Sequence, residues 1–122
     1  MKNLDTTLYF VTDSTVVPEE LFLPSVEAAC KGGVSMIQLR EKKSSTREYL
    51  QLAEKVHAIT KRFQIPLIID DRVDVALAID AEGVHVGQSD MPVAIARKLM
   101  GPDKIVGATT KTVPQALEAY QA

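Results

Sequence analysis

Carboxylates and cations follow the predicted strands of this chain, and their types suit a metal ion and a phosphate. Asp71 and Asp90 carry hard oxygen ligands, of which Mg²⁺ typically takes one or two before phosphate and water complete its shell. Arg40 and Lys42 offer donors to phosphate oxygens, the arginine through a planar fork and the lysine as a point charge. A strand continuing through these two cations would direct both side chains, with that of Gln38, to one face.

Each of these residues also has an interpretation that needs no ligand. Asp71 and Asp90 each precede a predicted helix, where Asp is a favoured N-cap. Residues 40–43 can equally form a solvated loop. His85 lies inside a strand and is interpreted as a packed or hydrogen-bonded histidine, while His57 lies mid-helix and is predicted at the surface or an edge. The convergence of several polar strand ends, rather than any single residue, favours a site.

Apolar runs and amphipathic helices alternate along the chain, which predicts five βα units. Such alternation implies a parallel sheet with helices packed against it, and the carboxyl ends of its strands share one edge. A capping box, Ser45 with Glu48, marks one helix start. Strands are predicted over residues 8–13, 36–41, 67–69, 83–88 and 104–108. Helices are predicted over residues 24–31, 44–63, 73–79 and 92–100, with a last one from about residue 112.

Length and strand pattern leave two architectures open for the single domain expected over residues 1–122. Five βα units complete an open flavodoxin-like sheet. An eight-fold barrel usually needs about 200–250 residues. Length alone therefore favours the open sheet.

Composition excludes several classes of partner. The chain has 14 Lys and Arg against 16 Asp and Glu, and this near balance predicts neither nucleic-acid nor membrane binding. No apolar run approaches the roughly 18 residues that a bilayer span needs. The single cysteine, Cys30, cannot form an internal disulfide. A cytoplasmic location is expected.

Five segments of the chain resemble the thiamine-phosphate synthase family. They occupy residues 9–13, 33–42, 68–74, 83–92 and 106–111, in the order and spacing of the family. The most specific are Gln-Leu-Arg-Glu-Lys at residues 38–42 and Gly-Gln-Ser-Asp-Met-Pro at residues 87–92. Because the family is a (β/α)₈ barrel, the resemblance implies an α/β fold that is an incomplete TIM barrel of about five parallel βα units.

The resemblance also implies a reaction and a set of residues. The family joins hydroxymethylpyrimidine pyrophosphate to thiazole phosphate and releases pyrophosphate, with Mg²⁺ as cofactor. By this resemblance Asp71 and Asp90 are the metal ligands, and Arg40 and Lys42 neutralise the leaving group as catalytic residues. Asp70 stands where the family usually has Asn. The implied substrate-binding residues are Gln38, Leu39, Arg40, Glu41, Lys42, Asp70 and Thr109.

The resemblance further implies that this chain carries the pyrimidine-pyrophosphate half of the site. Alone, it is expected to be inactive and to self-associate through open sheet edges. Two alternatives remain. A thiazole tautomerase relative would share the barrel, and a receiver-like phospho-acceptor domain would use the acidic, hydroxyl and lysine positions that Asp13, Asp71, Ser89 and Lys111 imitate.

Overall fold

Five β-strands alternate with five helices in the computed structural model, which describes residues 4–42 and 44–122. Within those residues, no helix combines the length and apolarity that crossing a bilayer would take. The elements in chain order are β1 (Tyr9–Val11), α1 (Glu19–Lys31), β2 (Met36–Leu39), α2 (Thr46–Arg62), β3 (Leu67–Asp70), α3 (Val73–Ile79), β4 (Gly83–Val86), α4 (Val93–Met100), β5 (Ile105–Ala108) and α5 (Val113–Gln121).

The strands form one parallel sheet in the order β1-β2-β3-β4-β5. Right-handed crossovers that always advance in the same direction place every helix on the same face. A flavodoxin-like sheet or receiver domain has instead the order 2-1-3-4-5, with helices on both faces. The open sheet favoured by length is therefore wrong, and so is the receiver alternative. The length of the chain indicates how many βα units it holds. It does not indicate on which side of the previous strand each new strand is added, and that side decides between the two architectures.

Side-chain alternation gives the sheet two different faces. Between the sheet and the helices lies the main apolar core. On the opposite face Met36, Ile68 and Ile105 form a small separate apolar cluster. The strand residues on the helix-covered face are almost entirely buried: Ile37, Leu39, Leu67, Ile69, Val84 and Val86. The face away from the helices is therefore free to carry polar side chains near the strand ends.

Two helix starts show how far local signals determine this fold. The capping box of α2 is confirmed, because Glu48 N donates to Ser45 Oγ at 3.1 Å and Ser45 N donates to Glu48 Oε1 at 3.1 Å. The predicted start of α1 at residue 24 is wrong, since the helix begins at Glu19 and contains Pro24. Glu19 and Glu20 lie in the first turn, where negative side chains stabilise the positive end of the helix dipole. The helix therefore starts before Pro24, although Pro24 has no N–H to donate to a helix hydrogen bond.

His57 is buried, which corrects its predicted place at the surface or an edge. Its side chain is 8% exposed, and Nε2 lies 3.0 Å from Glu82 Oε2. The other oxygen of Glu82 accepts a hydrogen bond of 2.8 Å from Leu67 N. Because Glu82 lies 25 residues further along the chain, helical periodicity around His57 gave no sign of this partner.

We expect the isolated 122-residue chain to self-associate. β1 and β5 each pair on one side only, and β1 exposes apolar side chains, Val11 at 44% among them. Unpaired strand edges with apolar side chains promote association. Val11→Lys should shift the chain toward monomer in size-exclusion chromatography, whereas Leu77→Lys, on α3 with a similar 46% exposure, should not. A monomeric wild-type chain that melts cooperatively would contradict this expectation.

Candidate active site

The carboxyl ends of the strands surround a cleft of about 560 Å³. Of the residues predicted for the site, most line it. Those that do are Gln38, Arg40, Lys42, Asp70, Asp71, Asp90 and Thr109. These residues come from four different βα units, so the fold brings together side chains that are up to 71 positions apart in sequence, as the shared strand edge predicts.

Leu39 and Glu41, also predicted for the site, do not line the cleft. Leu39 is fully buried on the helix-covered face. Ser14 Oγ donates to Glu41 Oε2 at 2.5 Å and Ser44 Oγ donates to Glu41 Oε1 at 3.2 Å, so this carboxylate joins the β1–α1 and β2–α2 loops. The period of two explains the division, because Gln38, Arg40 and Lys42 alternate with these two residues.

Lys42 binds two carboxylates at the rim of the cleft. Its Nζ lies 2.9 Å from Asp70 Oδ2 and forms a hydrogen bond with Asp71 Oδ2. Arg40 Nε lies 3.8 Å from the same Asp70 oxygen. Burial lowers the pKa of Lys42, but the hydrogen bond to Asp71 and the attraction of the Asp70 carboxylate outweigh that effect and leave the pKa raised. Lys42 therefore stays protonated at neutral pH.

Asp70 is compensated by charge rather than by directed hydrogen bonds. Its side chain is 7% exposed, and among the described residues its Oδ2 is the buried side-chain oxygen that lacks a hydrogen-bond partner. The 2.9 Å approach of Lys42 thus supplies a Coulombic interaction without hydrogen-bond geometry. A carboxylate can occupy this position because two cations lie beside it.

Asp71 and Asp90 lie beside each other and neither caps a helix. α3 begins after Arg72 and α4 after Pro92, and neither helix has a side-chain cap. Asp90 Oδ2 instead accepts a 2.8 Å hydrogen bond from Gly87 N. The neighbouring Asp71 carboxylate, with burial as the second cause, raises the pKa of Asp90. The capping interpretation therefore fails for both residues, and the two carboxylates lie close enough to affect each other's protonation.

The backbone of Asp71 is in the left-handed region, with φ at 67°. A residue with a side chain rarely adopts this conformation, which costs on the order of 1–3 kcal/mol and recurs at functional sites. Asp71 N donates to His85 O at 2.7 Å, which holds the turn against β4. The strain accompanies a carboxylate that faces the cleft.

His85 lines the cleft, although the sequence pattern did not select it. The predicted hydrogen bond is confirmed, because Nε2 lies 2.8 Å from Thr109 Oγ1. The ring also lies against Gly107, where a Cβ would come within 2.7 Å of Nδ1. Alternation along β4 could have found this residue, since His85 and Gly87, which follows the strand directly, both line the cleft.

The donor set of the cleft fits a magnesium ion rather than a softer metal. Among residues 4–42 and 44–122 there is no group of three or more His, Cys, Asp or Glu side chains arranged around a metal position. Mg²⁺ needs only one or two carboxylates when phosphate supplies the other oxygens. Asp71 and Asp90 form such a pair.

The charges of the cleft also indicate what it can bind. Six charged side chains line it, and their formal charges cancel: Arg40, Lys42 and Lys111 against Asp70, Asp71 and Asp90. A multiply charged phosphate ligand would leave this cleft strongly negative unless a cation entered with it. The arrangement therefore suits the combined binding of a divalent cation and a phosphorylated molecule.

Comparison with known proteins gives a consistent result over nearly the whole chain. A family model described as thiamine monophosphate synthase matches residues 8–122. The thiamine-phosphate synthase of Lacticaseibacillus paracasei is 53% identical over 122 residues, which are 100% of this chain and 57% of that protein. That of Clostridium acetobutylicum is 53% identical over 119 residues, covering 98% of this chain and 56% of the relative.

A solved structure extends the agreement to the fold. The thiamine phosphate pyrophosphorylase of Pyrococcus furiosus superposes with a TM-score of 0.85 at 39% identity, covering 95% of this chain and 55% of that one. The chain spans about half the length of the relatives it matches. With its sequential parallel βα units and a polar cleft at their carboxyl ends, the chain belongs to the thiamine monophosphate synthase family.

Proposed function

We propose that this chain supplies the pyrimidine-pyrophosphate half of a thiamine-phosphate synthase. The complete reaction condenses hydroxymethylpyrimidine pyrophosphate with thiazole phosphate, forming thiamine phosphate and releasing pyrophosphate. The observation that carries the proposal is the meeting of Arg40 and Lys42 with the Asp71 and Asp90 pair in one cleft. The names of the relatives support it.

The chemistry asks little covalent participation of the protein. The bond between the pyrimidine methylene carbon and the pyrophosphate oxygen breaks, the electron pair leaves with the oxygen, and the thiazole nitrogen attacks the carbon. Arg40 and Lys42 face the leaving group and stabilise the negative charge that grows on it. A side-chain nucleophile is not required, since the two substrates react with each other once they are held in line.

Asp71 and Asp90 are the residues that would hold Mg²⁺. The bound ion would neutralise charge on the pyrophosphate. Asp70 pairs with Lys42 and so holds the Lys42 ammonium group at the cleft. Its negative charge also adds to the charge that Mg²⁺ would neutralise. This arrangement replaces the neutral amide that the family usually has at this position.

His85 and Thr109 form the pyrimidine end of the proposed site. The 2.8 Å contact between His85 Nε2 and Thr109 Oγ1 restricts the rotation of the hydroxyl group. An aminopyrimidine ring presents both donors and acceptors at its edge, so an oriented hydroxyl group distinguishes it from other rings. Thr109 is therefore the substrate contact, and His85 orients it.

The direct test is an assay of the protein purified as its complete natural chain. Incubation with both substrates and Mg²⁺ should yield thiamine phosphate and an equal amount of pyrophosphate. The 122-residue chain alone should bind the pyrimidine pyrophosphate without turnover, because in this family the thiazole-phosphate loops follow the fifth βα unit. Isomerisation of a thiazole substrate without pyrophosphate release would instead identify a tautomerase.

Removal of either carboxylate of the pair should weaken the response to magnesium. We expect Asp71→Ala and Asp90→Ala each to raise the Mg²⁺ concentration needed for half-maximal rate, by at least the roughly 10- to 100-fold typical of lost ligand support. Part of the rate should return at high Mg²⁺, since one ligand remains. Asp103→Ala, on an exposed turn, serves as the control. Wild-type rates at low Mg²⁺ in either cleft variant would contradict the assignment.

Arg40→Lys should remain clearly defective although it preserves the charge. Lysine cannot reproduce the planar fork of arginine, and a charge-assisted hydrogen bond contributes roughly 1.5–3 kcal/mol. Expressed in the transition state, that corresponds to about 10- to 150-fold in rate. Steady-state kinetics of Arg40→Lys and Lys42→Ala should therefore show lower kcat as well as lower kcat/KM.

The matched control for that substitution is Arg47→Lys, which makes the same change at an exposed position of α2. It should leave both constants unchanged. A change confined to KM in the cleft variants would mean that the two cations bind substrate and transition state equally. If neither kcat nor kcat/KM changed, residues 40–42 would be a solvated loop that does not contact the substrate.

A further inference from the structure

One buried hydroxyl group connects β2 and β3, the two strands that precede Arg40 and Lys42 and that carry or precede Asp70 and Asp71. Tyr49, on α2, is 1% exposed. Its hydroxyl lies 2.9 Å from Leu39 O and 3.1 Å from Asp70 O, so one proton is shared between two carbonyl oxygens. Asp70 O also accepts a hydrogen bond of 2.8 Å from Arg72 N, so Tyr49 is one of two donors to that carbonyl. These carbonyls belong to the last residues of β2 and β3. The contact lies on the side of the sheet opposite the cleft and is not part of the site described above.

The same two peptide groups are also held at their amide ends. The carbonyl of Leu39 shares a peptide plane with the amide of Arg40, which donates to Thr12 Oγ1 at 3.1 Å. The carbonyl of Asp70 shares a plane with the amide of Asp71, which donates to His85 O at 2.7 Å. Because a peptide group is planar, bonding both ends fixes the orientation of the whole unit.

Fixing these planes restrains the N–Cα bonds from which two cleft side chains branch, so that only the rotation about each bond remains. Arg40 and Asp71 each begin at the Cα that follows a fixed plane. For Asp71 this restraint matters most, since its φ of 67° lies in the left-handed region, which Asp tolerates better than most residues but still at a cost. Tyr49 does not line the cleft, but its hydroxyl restrains the backbone from which the cation and the carboxylate branch.

We propose that Tyr49 is a positioning residue, whose hydroxyl group sets the geometry of Arg40 relative to Asp71 by joining the carbonyls of Leu39 and Asp70. Its kinetic readout rests on the proposed function, whereas its binding readout does not. Burial raises the pKa of Tyr49, so the hydroxyl keeps its proton and remains a donor over the usable pH range.

The test compares two variants that each remove one buried hydroxyl group from α2. Tyr49→Phe keeps the ring and its packing. Thr60→Val is the matched control, because Thr60 is fully buried on the same helix and its hydroxyl donates to His57 O at 3.2 Å, with no contact to the cleft. Both variants should melt at a somewhat lower temperature than the wild type, since each leaves carbonyl groups without this donor.

Only Tyr49→Phe should change the site. In the complete natural chain, measured well below the melting temperature, we expect kcat/KM for the pyrimidine pyrophosphate to fall about 10-fold, equivalent to about 1.4 kcal/mol. The Mg²⁺ dependence should shift with it, whereas Thr60→Val should match the wild type in both. Equal kinetic losses in the two variants, or wild-type kinetics in Tyr49→Phe, would overturn the proposal.

A second pair of variants keeps the proposal testable if Tyr49→Phe does not fold. Incorporation of 3-fluorotyrosine at position 49 keeps the ring and hydroxyl group but makes the latter a stronger donor. It should alter kcat/KM, while the same replacement at Tyr120, which is 90% exposed, should not. An unaltered kcat/KM at position 49 would count against Tyr49 as a positioning residue.

Calorimetric binding of inorganic pyrophosphate with Mg²⁺ separates this proposal from the proposed reaction. If the wild type forms no thiamine phosphate, the function is wrong. Tyr49 is still supported if pyrophosphate binds more weakly to Tyr49→Phe than to Thr60→Val, and refuted if both variants bind it equally.

Discussion

Sequential parallel pairing of the strands is the constraint on which the rest of this structure depends. Each crossover advances in the same direction, so all helices cover one face and all carboxyl ends meet at one edge. Side-chain alternation then sends Ile37 and Leu39 to the helix-covered core, and Gln38 and Arg40 to the opposite face. The apolar core and the polar cleft therefore arise from the same strands.

Charge balance is the second requirement, because three carboxylates and three cations share this cleft. Burying Asp70 without compensation would cost several kcal/mol. Lys42, 2.9 Å away, offsets that cost and is held at the cleft in return. The cleft is thus neutral before ligand binds, and a phosphorylated ligand is favoured only together with a cation. This coupling supports the proposal that the same few residues hold both the phosphate and the metal ion.

Sequence patterns predicted most of the fold and of the cleft, and the exceptions have physical causes. Period-two spacing correctly placed Gln38, Arg40 and Lys42 on one face. Local signals could not reveal the partner of His57, which lies 25 residues away. Helical periodicity also predicts only that the ring of Tyr49 is buried. It does not predict which carbonyl groups the hydroxyl contacts, because those belong to other elements. Apolar patterns therefore predicted the elements and the core, but not the polar contacts between residues far apart in sequence.

Those missed contacts solve a problem that every parallel sheet has at its functional edge. Regular strand pairing ends there, yet the site needs side chains held in fixed directions. In this chain side chains add to the backbone bonds beyond the strands: Thr12 accepts from Arg40 N, Tyr49 donates to Leu39 O and Asp70 O, and Asp90 holds its own loop by accepting from Gly87 N. Since a hydrogen bond contributes about 1 kcal/mol, together they can offset a strained residue such as Asp71. Rigidity at the cleft therefore comes from side chains that sequence patterns assign to other roles.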